Sequence, residues 1–276
     1  MVFEQFLKIK TIERRPYYAF FLGLFYVFIA YFTSKLFFNE KISVSIMFLV
    51  TLLLVPTVLG LLNIEEKREK RDGFKRFFYD HKDIFEIYLF LFFGIFVGCF
   101  LLGLLAGITT FDYQLNLLKS QEGLSSELVQ NKLVQGISSS FQGFLGLLEK
   151  NLAVVILCFV LSFFYGAGAM FLIVLNASVF STFILFVINN LATTLNKTAI
   201  FAIFLVHLLP ELFGFMLAAI AGGIVSKALM KEKFRSEPFR NIMTDASAIF
   251  LLSVAFIILA AFLETYVSTA LFNALF

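Results

Sequence analysis

The chain has 276 residues, of which 60% are hydrophobic and only 15% are charged, and its formal net charge is +3. Soluble domains average about 45–50% apolar and about 25% charged residues, so this composition excludes a soluble globular protein and indicates a polytopic protein of a lipid bilayer. The small positive charge gives no reason to expect a nucleic-acid partner, because the basic residues follow the predicted membrane topology.

Apolar runs of about 20 residues without charge predict the transmembrane helices. In the N-terminal half such runs cover approximately residues 17–33, 42–62 and 87–110. The first two are joined by a short turn and predict an N-terminal two-span hairpin over residues 1–62. A strongly charged stretch at residues 63–83 follows, and we interpret it as a cytoplasmic loop.

The segment 112–150 is the only sizeable polar stretch between predicted spans. Its apolar residues recur at helical spacing, which predicts an amphipathic helix on the outer surface. These residues are Leu124, Leu128, Leu133, Ile137, Phe141, Phe144, Leu145 and Leu148. The pattern does not decide between a helix on the membrane surface and one that packs on the bundle or on a partner.

The C-terminal half predicts four more spans. Residues 151–196 contain no charge and are long enough to cross twice, with a turn near Leu175 and Asn176. Residues 198–226 and 246–271 predict the last two spans, which a basic loop separates. The whole chain is therefore predicted to be an all-α transmembrane bundle of seven spans.

The distribution of lysine and arginine predicts the orientation of this bundle. With the N-terminus in the cytoplasm, three cytoplasmic segments hold 16 of the 22 Lys and Arg residues, including all seven arginines. These segments are the N-terminus, residues 63–84 and residues 227–240. A single crossing by residues 151–196 would put the last basic segment on the other side. The positive-inside rule thus predicts a cytoplasmic N-terminus and a C-terminus outside.

Three ionisable residues lie inside the predicted spans and away from their ends: His207, Glu211 and Glu264. A charged group in the membrane interior costs about 2.5–3.5 kcal/mol on insertion scales, so each residue needs a structural or functional reason. The four-residue spacing puts His207 and Glu211 on one helix face, and the predicted depths bring Glu264 to the height of His207. Pro210 lies between His207 and Glu211 and predicts a kink in their helix. Together the four residues form a predicted intramembrane polar cluster.

The residues leave three interpretations of this cluster open. One is a structural link between helices, in which Glu264 accepts a hydrogen bond from His207 or from a tyrosine such as Tyr266. Another is a proton- or ion-conducting relay, because intramembrane carboxylates and imidazoles do such work in other proteins. The third is a divalent metal site, such as a zinc site, with His207, Glu211 and Glu264 as ligands, although the second histidine of common zinc motifs is missing.

Glycines predict close helix contacts in two places, Gly166 with Gly168 and Gly222 with Gly223. Small residues allow helix backbones to approach each other in a membrane. The sequence contains no P-loop, nucleophile elbow, HExxH motif or cysteine cluster, so no standard catalytic motif points to an enzyme.

Several motifs taken together resemble the stage II sporulation protein M family. The central one is the string from His207 to Glu211, followed by the alanine-rich stretch 218–222. Further similar stretches are Glu149–Val155, Gly166–Gly168, Leu175–Asn176 and Ala260–Val267. The resemblance covers approximately residues 84–276, which contain five predicted spans, the number expected of the family core. The hairpin 1–62 is additional, and Ala177 stands where family members often have glycine.

The resemblance implies a role in organising a complex of proteins at a membrane, and it implies no particular reaction. In sporulating bacteria the family member resembles a scaffold that gathers peptidoglycan-degrading enzymes at the septum. We therefore expect a multi-pass, non-enzymatic scaffold of the cytoplasmic membrane that forms a homo-oligomer. It would organise envelope membrane proteins through segment 112–150 or its basic loops. The alternatives are a small transporter or channel that uses the polar cluster, a metal-binding membrane protein, and a metal-dependent intramembrane hydrolase without a recognisable nucleophile.

Overall fold

The computed structural model describes residues 11–12, 15–72, 77–121, 140–165, 168–190, 197–234 and 236–275. The regular elements in these ranges are all helical. Seven of the described helices are long and apolar enough to cross a membrane. The protein is therefore an all-α polytopic helical bundle, as the sequence predicts.

The helices of the N-terminal half are α1 (Tyr18–Phe37), α2 (Ile42–Asp72), α3 (Phe77–Ala106) and α4 (Asp112–Gln121). Short 3-10 turns, Asn39–Lys41 and Ile108–Phe111, join α1 to α2 and α3 to α4. The third span ends at Ala106 because the next residue, Gly107, adopts a φ of 90°, a conformation that residues with side chains rarely take. This turn sends the chain back, so that α4 packs against the bundle.

The helices of the C-terminal half are α5 (Phe141–Tyr165), α6 (Met170–Asn190), α7 (Lys197–Lys231) and α8 (Glu237–Phe262). A π-helical turn, Leu263–Ser268, continues α8 into α9 (Thr269–Leu275). The start of α8 follows from ordinary capping, because the side chain of Ser236 accepts a hydrogen bond from the backbone N–H of Phe239 at 3.3 Å. The seven spans are α1, α2, α3, α5, α6, α7 and the continuous helix from α8 to α9.

The charged segments next to the membrane are more helical than predicted. α2 continues to Asp72 and α3 begins at Phe77, so most of segment 63–83 extends these two helices. Likewise α7 reaches Lys231 and α8 begins at Glu237, which leaves a short connection. Charge limits the apolar run that defines a span, but Lys, Arg and Glu are good helix formers in water.

The predicted turn near Leu175 and Asn176 is wrong, because both residues lie inside α6. The chain turns instead between Tyr165 and Met170. The turn was misplaced because the start of the fourth span was predicted too late in the chain. The charged pair Glu149–Lys150 interrupts the apolar run without ending the helix, so α5 begins well before residue 151.

Segment 112–150 contributes to two helices that belong to the bundle. α4 forms its first part, and Gln114 and Leu118 of this helix are buried. Residues 141–150 are the first turns of the spanning helix α5. The predicted apolar positions Leu124, Leu128, Leu133 and Ile137 lie outside the described residues.

α7 is the central helix of the bundle, since it contacts α2, α3, α5, α6 and α8. Its residues 218–226, which include the alanine-rich stretch, are all buried. A helix that is apolar on every side is expected to be surrounded by other elements. The N-terminal hairpin shares the same hydrophobic core, because α1 packs closely along α3 and α2 contacts α6 and α7.

We expect Gly94→Ala to lower the free energy of unfolding by about 1–3 kcal/mol. A Cβ atom at this position of α3 would overlap the backbone carbonyl of Phe20 in α1, so the two helices would have to separate. The measurement is reversible unfolding of the purified protein in mixed micelles.

Gly146→Ala is the matched control, because a Cβ at that exposed position meets nothing within 4 Å. It should leave stability unchanged or raise it by up to about 1 kcal/mol through better helix propensity. Equal stability of the two variants would contradict the close packing of α1 on α3.

Candidate functional site

The predicted polar cluster lies where α7 meets the end of the last membrane-spanning helix. His207 is buried, and Pro210, Glu211 and Glu264 are half-buried. α7 runs without interruption past Pro210. Membrane helices tolerate proline because neighbouring groups can satisfy the backbone carbonyl that it leaves free.

A hydrogen bond to Ser268 holds His207 in place. The distance between Nδ1 of His207 and Oγ of Ser268 is 3.1 Å, and both side chains are buried. The Ser268 hydroxyl also donates to the backbone carbonyl of Ile203, one turn before His207, at 3.4 Å. Ser268 therefore joins the last helix to two successive turns of α7.

The imidazole ring of His207 is also packed edge-on against Phe204, with centroids 5.0 Å apart. Which of His207 Nδ1 and Ser268 Oγ donates in their contact depends on the tautomer of the ring.

The π-helical turn lies at this junction and contains both Glu264 and Ser268. Its wider winding is supported by the hydroxyl of Thr269, which donates to the carbonyl of Glu264 at 3.4 Å. Such turns are rare and are frequent at functional sites. Ser268, four residues after Glu264, lies on the side of the helix that faces α7, because it contacts His207 and the carbonyl of Ile203.

Ser268 was not among the predicted site residues. In the structural interpretation Glu264 accepts from His207 or from a tyrosine, whereas the hydrogen bond of His207 in the structure goes to the hydroxyl of Ser268. Glu211 and Glu264 take part in other hydrogen-bonding or electrostatic interactions. The sequence signal for Ser268 was its position four residues after a glutamate at the predicted height of His207.

The metal interpretation gains no support from this geometry. Across the described ranges, no group of three or more His, Cys, Asp or Glu side chains could hold a metal ion.

A second buried polar cluster centres on Gln114 of α4, which is 0% exposed. Its amide nitrogen donates to the hydroxyl of Ser178 in α6 at 3.0 Å and lies 3.2 Å from the sulfur of Met47 in α2. Its amide oxygen accepts from the hydroxyl of Ser43, also in α2. Ser178 in turn donates to the carbonyl of Leu175 at 2.7 Å. One amide thus connects α4 to two spanning helices.

This second cluster was not predicted. Gln114 lies in a polar stretch that the sequence assigned to the surface, and its partners Ser43 and Ser178 are 71 and 64 residues away along the chain. Without the tertiary structure, no local pattern connects these positions.

The predicted packing glycines have different surroundings. At Gly222 of α7, a Cβ would overlap the carbonyl oxygen of Phe159 in α5, and Gly223 is buried beside it. At Gly168, in the turn before α6, a Cβ would lie 2.5 Å from the carbonyl oxygen of Leu161. Gly166 is outside the described residues.

Comparison with known proteins identifies one family. The family model described as Stage II sporulation protein M matches residues 87–269, which is more than half of the chain. No curated protein and no solved structure gives a significant match. The matched region contains His207, Glu211, Glu264 and Ser268, and it begins after the N-terminal hairpin.

We expect Ser268→Ala to lower the free energy of unfolding by about 0.6 kcal/mol, the average for hydrogen bonds between membrane helices, and by no more than about 1.7 kcal/mol, the largest such value. The substitution removes the hydroxyl that joins His207 and the carbonyl of Ile203. Unfolding in lipid bicelles measures the effect. Ser247→Ala is the control, since that exposed hydroxyl bonds to the carbonyl of Met243 in its own helix, at 2.7 Å. A Ser268 variant as stable as this control would argue against the link.

Gln114→Ala should cost about 1–3 kcal/mol, because it leaves the hydroxyls of Ser43 and Ser178 buried without the amide. The same bicelle assay applies. Gln142→Ala removes an exposed glutamine from the outer end of α5 and should change stability by less than about 0.5 kcal/mol. If both glutamine variants behave alike, Gln114 does not anchor α4.

Proposed function

The chain belongs to the stage II sporulation protein M family, and we propose that it is a non-enzymatic scaffold of the cytoplasmic membrane that organises envelope membrane proteins. The observation that carries this proposal is the attachment of segment 112–150 at both ends. Gln114 ties its first helix to α2 and α6. At the other end, Phe144 of α5 contacts Tyr266, with ring centroids 6.3 Å apart.

Attachment at both ends suits a docking segment. A segment whose ends are fixed loses less conformational entropy when a partner binds than one that hangs freely from the membrane. The outer ends of α4 and α5 then hold a bound partner at a defined place relative to the spans. This is what a scaffold must do without carrying out any chemistry.

The contact between His207 and Ser268 supports the same function. It uses the buried imidazole as a link between α7 and the last helix, at 3.1 Å. Hydrogen bonds of this kind contribute about 0.6 kcal/mol on average in membranes. Several such hydrogen bonds together keep the helices in a fixed arrangement when partners bind.

A transporter or channel is the second candidate, and the π-helical turn at Glu264 favours it. Such turns often mark functional sites, and the turn that contains Glu264 packs against α7, which carries His207 and Glu211. In this alternative the three residues would pass a proton or cation between them.

Flux measurements on liposomes that contain the purified protein separate the two functions. A scaffold predicts that ion and proton flux equals that of empty liposomes for the wild type, Glu211→Gln and Glu264→Gln. Transport predicts a flux in the wild type that both substitutions abolish. Glu40→Gln, on the exposed turn between α1 and α2, is the control and should behave as the wild type in either case.

Recovery of partners completes this test. After cross-linking in native membranes, envelope membrane proteins should copurify with the wild type. They should be lost when residues 122–139 are replaced by a Gly/Ser linker of equal length. A wild-type protein that conducts ions and recovers no envelope protein would rule out the scaffold.

A further inference from the structure

α5 is the least buried of the candidate spans in the described ranges. Only 11% of its apolar window is buried inside the protein, against 33–56% for the other six. One face of α5 packs on the bundle, where Phe159 contacts Phe250 of α8 and Ser162 lies against Gly222 of α7. The opposite face is open over the whole length of the helix.

The open face of α5 carries a seven-residue repeat. Lys150, Leu157 and Phe164 are seven residues apart, and Ala153 and Val160 lie between them at alternating spacings of three and four. All five residues are exposed. Spacings of three and four place these residues on one face of the helix, as in the positions that meet between two helices of a left-handed coiled coil. Contact with lipid accounts for the apolar residues of this face but not for its lysine.

The same face carries a pair of opposite charges at membrane depth. Glu149 and Lys150 are both exposed, and no ion pair joins either to another side chain in the described part of the chain. Counted from Tyr165 at 1.5 Å per residue, Lys150 lies about 22 Å above the cytoplasmic end of α5, within a hydrocarbon core about 30 Å thick. Charged groups at such depth are expected to pair with one another.

We propose that this face of α5 is a self-association surface and that its occupant is a second copy of the chain. Two copies in one membrane have the same orientation, so a twofold axis between them runs along the membrane normal and the two α5 helices are parallel. This inference deepens the proposed scaffold function, because a dimer would present two outer segments on one platform.

The charge arrangement on α5 suits this symmetry. Lys150 belongs to the repeat, and Glu149 lies beside it, about 100° away around the helix. A twofold rotation brings Glu149 of each copy next to Lys150 of the other, at almost the same height. The dimer therefore contains two ion pairs that a single copy cannot form. Like-charged contacts would result if either residue changed sign.

Disulfide cross-linking tests the surface directly. Ala153→Cys puts a thiol on the line of the repeat, and oxidation in dilute liposomes of the purified protein should give a covalent dimer. Ala255→Cys is the matched control. It is an exposed alanine on α8, and the ring contact between Phe159 and Phe250 puts it at a similar depth. The native Cys99 and Cys158 are buried, so the wild type should form no disulfide-linked dimer on oxidation.

Charge exchange tests the pairing. Glu149→Lys alone and Lys150→Glu alone should each weaken dimerisation about tenfold, because each creates like-charged contacts across the axis. The double exchange, Glu149→Lys with Lys150→Glu, should restore wild-type dimerisation. Fluorescence energy transfer between labelled copies in liposomes measures the dimer fraction without any introduced cysteine.

Two results would overturn the proposal: equal cross-linking of the Ala153 and Ala255 variants, or single exchanges that dimerise as well as the wild type. Cross-linking of Ala153→Cys only to a different protein in native membranes would also reject it, since the occupant would then not be a second copy. Because these assays use the purified chain alone, a monomeric result leaves partner recovery, and thus the scaffold proposal, to be decided separately.

Discussion

The close approach of α7 to its neighbours is the constraint on which the rest of the bundle depends. A Cβ at Gly222 would overlap the carbonyl of Phe159, and one at Gly214 would lie 2.7 Å from the side chain of Ile257 in α8. Lipid is as apolar as leucine, so helices in a membrane gain little by hiding apolar surface from it. Contact between backbones and hydrogen bonds between helices must supply the stability, and the small residues on α7 allow the backbones to approach.

This constraint also explains where polar groups occur. His207 and Gln114 are each buried between helices that are far apart in sequence, and each finds its partner on another helix. A buried polar group without a partner would cost more than it contributes. The hydrogen bonds that make these residues tolerable therefore also fix the helices relative to each other. The exposed pair Glu149–Lys150 would fix helices in the same way if a second copy of the chain covered it.

Hydropathy and charge were sufficient to predict the seven spans and the all-α class, because crossing a membrane requires long apolar helices whatever their packing. They misplaced the turn before α6, since a charge inside a helix looks the same in sequence as a charge that ends one. The individual residues His207 and Glu264 stood out because ionisable groups are rare in spans. Ser268 and Gln114 did not, since their importance comes only from partners that the tertiary structure supplies.

The inner and outer halves of the bundle differ in packing and in polarity. The half of α7 after Gly214 is buried on nearly all sides among small residues, which leaves it little freedom to move. The polar contacts of His207 and the charged pair on α5 lie in the half that the lysine and arginine distribution places outside. The closely packed inner half therefore holds the spans in place, and the polar groups lie in the outer half. Such a division suits a protein whose outer segment holds partners while its inner half only keeps the spans together.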